Sequence, residues 1–374
     1  MHSGIGCVRD GLAPDLHAQS VERPLVVCGA NVARSDALRL VRDVLGEDVR
    51  LYDGSQPHTP VESVDRGAAV ARAAKADGLI ALGGSSAVDC AKGIAVLLAT
   101  GARSVTQLQP ATFGRLSEQP EARADAPVPV VALTTTLSFA ELLPFWGARH
   151  ADTVRKVPYT DHGRVTRTVF LDGELASTTP DRVWAETGVK ALDDAISAFC
   201  RSDRPEPFLD PILVTAMVAL VDALDVSDVD RRIARQQALT ATWMTKTALP
   251  RLEPVTVPAW FSTTARHALG AVAALPHGVG SCVALPHALA FHAGVTAPRQ
   301  AELARALAWH DGLAPGLTAW LHRLGVPRRL GPLGIEPDLL DLVVARMLDE
   351  APTLGTHATL RRACTAFWQE KDER

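Results

Sequence analysis

The chain has 374 residues, 47% of them apolar and 21% charged, with a formal net charge of −4. This is the composition of an ordinary soluble globular protein, long enough to prefer two hydrophobic cores over one. No basic run points to nucleic acid or an anionic membrane as partner, and no window is expected to reach the roughly 18 apolar residues of a membrane span.

The six cysteines (Cys7, Cys28, Cys90, Cys200, Cys282, Cys364) are dispersed, with no CxxC pair. They read as reduced, mostly buried thiols, which places the chain in the cytoplasm. The start, MHSGIGCVRDGLAPD, lacks the basic-then-apolar order of a signal peptide. In chain order, PLVVCGA (24–30) is a buried strand, 36–46 a helix, DVRLYDG (48–54) a second strand and 64–78 a helix. LIALGG (79–84) is a third strand, 87–100 a helix and APVPVVALTTT (126–136) a fourth strand. Apolar strands alternating with helices predict a parallel sheet covered on both faces. Residues 145–172 hold two β-like stretches, FWGARH and RVTRTVFLD, expected to form a hairpin. From Thr179 onward the pattern is helical. The expected organisation is an α/β domain over 1–178 and an all-α domain over 179–374, with a cleft between them.

Three stretches carry chemistry. In LIALGGSSAVDCAK, the residues Gly83, Gly84, Ser85 and Ser86 join a strand to a helix, with Asp89 and Lys92 in its first turns. Glycines admit a ligand close to the backbone, and the free N–H groups of a helix start attract phosphate. This is neither GxGxxG nor a Walker A loop; a plain turn capped by serines is the competing reading. The segment 267–292 carries His267, His277, His287 and His292; the break at Pro276-His277-Gly278 can fold the first two toward one site, while the last two read as structural. In GVKALDDAI (188–196), Lys190 and Asp194 stand four apart on one helix face. As a solvated pair they would be worth only about 0.3–0.5 kcal/mol, and the base-before-acid order is the less favourable one for such a pair.

Together, HTPVE (58–62), GGSSAVDCAK, TTLSFAELLPFWG (135–147), FLDGEL (170–175), TGVKALDDAISAF (187–199) and HALG…LPHG…LPHALAF resemble the iron-containing (group III) alcohol dehydrogenase family, of the dehydroquinate synthase-like fold, and within it the maleylacetate reductases. The resemblance spans residues 24 to 368. It implies an N-terminal Rossmann-like nucleotide-binding domain, a helical C-terminal domain, NAD or NADP as cofactor, and hydride transfer to a small-molecule carbonyl or from an alcohol, in what is expected to be a homodimer. It also implies that Gly83, Gly84, Ser85, Ser86, Asp89, Thr135 and Thr136 face the dinucleotide, with Arg167 near the ribose.

The departures from the family pattern are specific. The positions that ligate metal in many members are here Lys190, Asp194, Thr263 and His277, and a protonated ammonium cannot ligate, so no metal is expected. A family Gly-Ser pair has become Phe139-Ala140, which obstructs the cofactor if the ring points into the cleft. The acid that often reads the ribose 2′-OH is replaced by Gly29, leaving NAD versus NADP open. The reading that follows is a metal-independent NAD(P)H reductase in which Lys190 supplies the metal's charge, Asp194 keeps it protonated and oriented, and His267 or His277 supplies the proton. Arg149, Arg155, Lys156 and Arg266 are candidate anchors for a substrate carboxylate. Two alternatives use the same residues differently: a non-redox lyase, cyclase or isomerase, with Lys190 able to act as a Schiff-base nucleophile, and a catalytically silent binding subunit.

Overall fold

The computed structural model describes residues 1–111, 128–151, 156–160, 166–202, 204–225, 230–248 and 256–369. The chain divides into two compact units, Met1–Thr179 with Asp230–Thr240, and Pro180–Val229 with Ala241–Arg374. The single boundary expected at 178/179 therefore misses the return of 230–240 to the first unit. That return is local chemistry: Arg235, buried, donates to the carbonyl oxygens of Ala176 and Thr179, and Gln236 accepts from the Gly173 N–H at 2.9 Å.

The first unit is built on six parallel strands, β1 His2–Ser3, β2 Pro24–Val27, β3 Arg50–Tyr52, β4 Gly78–Gly83, β5 Val130–Thr134 and β8 Thr166–Leu171, in the order β1-β8-β5-β4-β2-β3. Alternation along each strand feeds two cores. Leu79 and Ala81 of β4 turn to one face, against Val64 and Ala68 of α3 (Val61–Ala73) and Ile94 of α4 (Ser85–Thr100). Ile80 and Leu82 turn to the other, against Val8 and Leu12 of α1 (Cys7–Ala18) and Leu38 and Val41 of α2 (Asp36–Leu45). A sheet covered on both faces explains why β4 is buried at every position. A short helix, α5 (Gly173–Ala176), is capped by Asp172, whose carboxylate also takes the N–H groups of Gly6 and Val8. It thereby fixes β1 and α1, which the sequence reading did not assign.

The expected hairpin is real but shifted. Its strands are β6 (Phe145–Arg149) and β7 (Lys156–Thr160), antiparallel, and the segment 166–171 instead joins the main sheet between β1 and β5. Thr168-Val169-Phe170-Leu171 is a buried run, which suits a two-sided parallel strand better than a hairpin arm with one wet face.

The second unit holds α6 (Asp181–Cys200), α7 (Leu209–Leu224), the end of α8 (Arg231–Ala248), α9 (Phe261–Ala273), α10 (His277–Ala306), α11 (Leu313–Arg323), α12 (Leu340–Glu350) and α13 (His357–Thr365). The sequence reading passed over one point here: α10 is long and apolar enough to cross a membrane by length and composition. It is mostly buried within the unit, packed on α9 and α6, and contains Pro286 and Pro298, so it serves as the core helix. All six cysteines are free thiols and all but Cys7 are buried.

Candidate active site

In the first unit, β4 ends at Gly83, whose φ of +141° is a left-handed conformation that suits glycine. Gly84 then opens α4 without a side-chain cap. A Cβ at Gly84 would lie 2.7 Å from Thr136 Oγ1, so the turn and the 135–136 backbone approach as closely as they do only because the side chain is missing. The Thr135 N–H donates to the Gly83 carbonyl at 3.1 Å. Gly83, Gly84, Ser85, Ser86, Thr135 and Thr136 thus gather at the carboxyl ends of β4 and β5, where an uncapped helix start offers N–H groups to a phosphate. These residues fit a dinucleotide.

Asp89, one turn into α4, is buried and ion-paired to Lys156 of β7. Arg167 departs from expectation. It is the extra residue of a bulge opposite Val130 and Val131, at the amino ends of the strands. That is roughly 13 Å along the sheet from Gly83. Lys156 is a cation that does reach the first turns of the glycine-turn helix, through Asp89.

Phe139 occupies a left-handed backbone (φ 56°, ψ 43°) with its ring 1% exposed. The left-handed geometry accounts for glycine at this position in the family pattern; here a bulky residue tolerates it at a cost of about 1–2 kcal/mol. The ring is packed away inside the protein. The loop behind it is pinned by Lys92, fully buried, whose ammonium donates to the carbonyl oxygens of Ala140 (3.1 Å), Leu143 (2.5 Å) and Phe145 (3.4 Å).

In the second unit, Lys190 and Asp194 meet at 2.7 Å, with side chains only 18% and 9% exposed, so the solvated-pair reading fails. Nor are they alone. Lys246 of α8 donates to the same carboxylate oxygen, and Arg266 of α9 donates to the other at 2.8 Å. Arg266 also reaches Asp193 at 2.9 Å, and Asp193 accepts from Ser262 at 2.5 Å and Ser281 at 2.8 Å. Three cations therefore share two carboxylates. Burial costs the charged carboxyl, yet the three cations outweigh it and hold Asp194 well below the usual range. Lys190 is the cation left in excess. Burial, joined by repulsion from Lys246 and Arg266, outweighs Asp194 and pulls its ammonium down to about 7. Asp194 orients Lys190 and favours its charged form, against the burial and the neighbouring cations that oppose it. Arg266, buried and engaged by both aspartates, is not available as a carboxylate anchor. Arg149 is exposed at the end of β6, and Arg155 lies outside the described residues.

The break at Pro276 does bring His267 and His277 together, ring centroids 5.2 Å apart and nearly perpendicular. A Cβ at Gly278 would lie 2.7 Å from the Glu186 carbonyl oxygen, so glycine lets the start of α10 lie against α6. His267 Nδ1 donates to Glu350 of α12 at 2.7 Å. His292 is structural: its Nε2 accepts the Phe261 N–H at the start of α9, and burial, with Arg201, lowers its pKa to about 4. His287 lies beside Phe367. Sequence reasoning missed Asp193, Lys246, Ser262, Ser281 and Glu350. One signal was present: lysine is scarce in this chain, yet Lys92, Lys190 and Lys246 are all withdrawn from bulk solvent.

The metal of the family pattern does not fit these residues. Its positions hold Lys190, a carboxylate at Asp194 already engaged by three cations, Thr263 and, as the one usual ligand kept, His277. Among the described residues, no group of three or more His, Cys, Asp or Glu is placed to hold a metal ion.

A parallel α/β unit with a glycine turn at its strand ends, together with a helical unit carrying a charged cluster, defines the class: a dehydroquinate synthase-like oxidoreductase fold. The model of the iron-containing alcohol dehydrogenases matches residues 3–173, and that of the Fe-containing alcohol dehydrogenase family C-terminal domain matches 184–364. The chain belongs to this family, close to the maleylacetate reductases, and is an NAD(P)-dependent oxidoreductase. It is 30% identical to maleylacetate reductase 1 of Rhodococcus opacus over 86% of this chain and 78% of that one. It is 27% identical to the NADPH-dependent butanol dehydrogenase of Clostridium saccharobutylicum, over 88% and 86%. The fold is shared with the sulfoacetaldehyde reductase of Bifidobacterium kashiwanohense, solved in complex with NAD+, at a TM-score of 0.76 and 20% identity over 98% of this chain and 96% of that one.

Proposed function

We propose that this enzyme is a metal-independent NAD(P)H-dependent reductase of a small carbonyl or oxo-acid substrate, in which Lys190 replaces the charge of the metal. One observation carries the reading: at the family's metal position stands the excess cation of a cluster of three cations on two carboxylates, and it keeps contact with solvent. The nicotinamide, when bound, supplies the hydride. Lys190 Nζ donates a hydrogen bond to the substrate oxygen, stabilises the charge that develops there, and passes it a proton. A donor titrating near neutrality suits that transfer, because it is acidic enough to give the proton and is readily recharged. Asp194 fixes the direction of the ammonium. His267 and His277, in contact with each other, return the proton from solvent. The surplus positive charge favours an anionic substrate such as an oxo-acid.

Chelator-dialysed, metal-assayed protein is expected to keep its full kcat for carbonyl reduction, with no gain from added Zn²⁺ or Fe²⁺. Activity that disappears on chelation and returns with metal would sink the reading. The same neutral-range amine supports a second reading, a non-redox lyase or isomerase acting through a Schiff base at Lys190. Turnover of a carbonyl compound without nicotinamide would select it.

The cofactor preference we propose is NADPH. At the carboxyl end of β2, a Cβ at Gly29 would lie 3.2 Å from the Ser55 carbonyl oxygen, so the site resists an acid that would read a ribose 2′-OH. Arg34 is exposed on the 3₁₀ turn that follows, Val32–Arg34, where a guanidinium suits a 2′-phosphate. Arg34→Ala is expected to weaken NADPH binding by about 10–100-fold, as for loss of a charged hydrogen bond, and to leave NADH binding unchanged in a fluorescence titration. Equal weakening of both cofactors would contradict it.

A further inference from the structure

Glu350 is the last residue of α12, and a carboxylate there faces the negative end of the helix macrodipole. Its unfavourable place is offset by one contact, the 2.7 Å hydrogen bond from His267 Nδ1 of α9. The neighbouring acid Asp349 is taken by Arg346 of the same helix, so Glu350 is the one of the two that turns to the histidine. An acceptor at Nδ1 fixes the proton of the neutral ring on that atom and leaves the lone pair on Nε2. The His277 ring stands edge-to-face beside it, 5.2 Å between centroids, which limits rotation of His267. The arrangement is that of a carboxylate orienting a catalytic imidazole through its far nitrogen.

We infer that Glu350 is a positioning residue, holding His267 as the Nδ1–H tautomer so that Nε2 is the atom that exchanges the proton of the reaction. The inference rests on the reductase reading for the identity of that proton, but the hold of Glu350 on the ring is independent of it. Only a proton moves: the bare Nε2 takes it from solvent, giving the imidazolium, and passes it on toward the alkoxide end of the relay, which restores the Nδ1–H tautomer with Glu350 remaining a carboxylate throughout. Nothing is oxidised or reduced in this step.

The test compares wild type, Glu350→Ala and Glu350→Gln as folded full-length proteins. Nitrogen-15 NMR of labelled histidine, with the His267 signal assigned by its loss in His267→Asn, is expected to show the Nδ1–H tautomer in wild type and the Nε2–H tautomer in Glu350→Ala. Glu350→Gln, whose amide oxygen still accepts, should keep the wild-type tautomer. In steady-state reduction, kcat of Glu350→Ala should fall by about 10–100-fold, the range for loss of an orienting partner, with KM unchanged and Glu350→Gln intermediate. An unchanged tautomer in Glu350→Ala overturns the inference, as does a switched tautomer with unchanged kcat. A wild-type protein that reduces no carbonyl while its tautomer still switches in Glu350→Ala sinks the reductase reading alone and upholds the hold of Glu350 on His267.

Discussion

Lys190→Met is expected to lower kcat for carbonyl reduction by about 10²–10³-fold, the loss typical of removing one donor from a developing oxyanion. Methionine keeps most of the length and removes only the charge and the three N–H donors. Cofactor affinity should not change. Added divalent metal should not rescue the variant, because Asp194 stays engaged by Lys246 and Arg266 and Thr263 is a poor ligand, which leaves His277 as the one usual ligand of the family set. The pH dependence gives the same result from another side. Burial lowers the ammonium from its usual 10.5 to about 7, so the proton-bearing form prevails below that pH and is lost above it. The wild-type kcat should therefore hold on the acid side and fall as pH rises through about 7. In Lys190→Met that alkaline limb should be absent from the residual rate. A variant with full turnover, or a wild-type profile flat from pH 6 to 9, would remove Lys190 from the chemistry.

Asp194→Asn should be the most destabilising single change in the helical unit, by about 3–5 kcal/mol, the cost of leaving a buried charge without its partner. The carboxylate accepts from Lys190, Lys246 and Arg266 together. Asparagine preserves the volume and one acceptor oxygen but leaves three buried cations facing the single charge of Asp193. Calorimetry suits the measurement, since a chain of two units need not unfold in one transition. Removing a cation should relieve the imbalance: Asp194→Asn with Lys246→Met should be more stable than Asp194→Asn alone, a coupling of opposite sign to additivity. A midpoint for Asp194→Asn equal to that of wild type would mean that the cluster is not electrostatically tight. So would a double variant less stable than the single one.

The sheet was legible because its code is local. Buried parallel strands such as Gly78–Gly83 and Val130–Thr134 are short apolar runs with turn residues at their ends, and Gly83-Gly84 marks the one place where the backbone must reverse tightly against Thr136. The hairpin was misplaced because 166–171 carries the same β-rich signal whether it lies beside β7 or between β1 and β5; pairing partners are not written in a strand's own residues. Arg167 failed for a related reason. Its position in the sequence suited a ribose contact, but a bulge at the amino end of β8 sets it away from the glycine turn.

By itself, the sequence determined the parallel α/β unit, the helical remainder, the glycine turn and the replacement of metal-ligand positions by Lys190 and Thr263. The first three follow from periodicity and backbone freedom; the last is what the resemblance to the family implies. Only the tertiary structure decided that Lys246 and Arg266, 52 and 72 residues beyond Asp194, close on the same carboxylate as Lys190. It alone decided that Glu350 reaches His267. The physical reason is that helix packing, set by the apolar stripes, brings distant polar residues together, and burial then makes each charge depend on neighbours that no local pattern reveals.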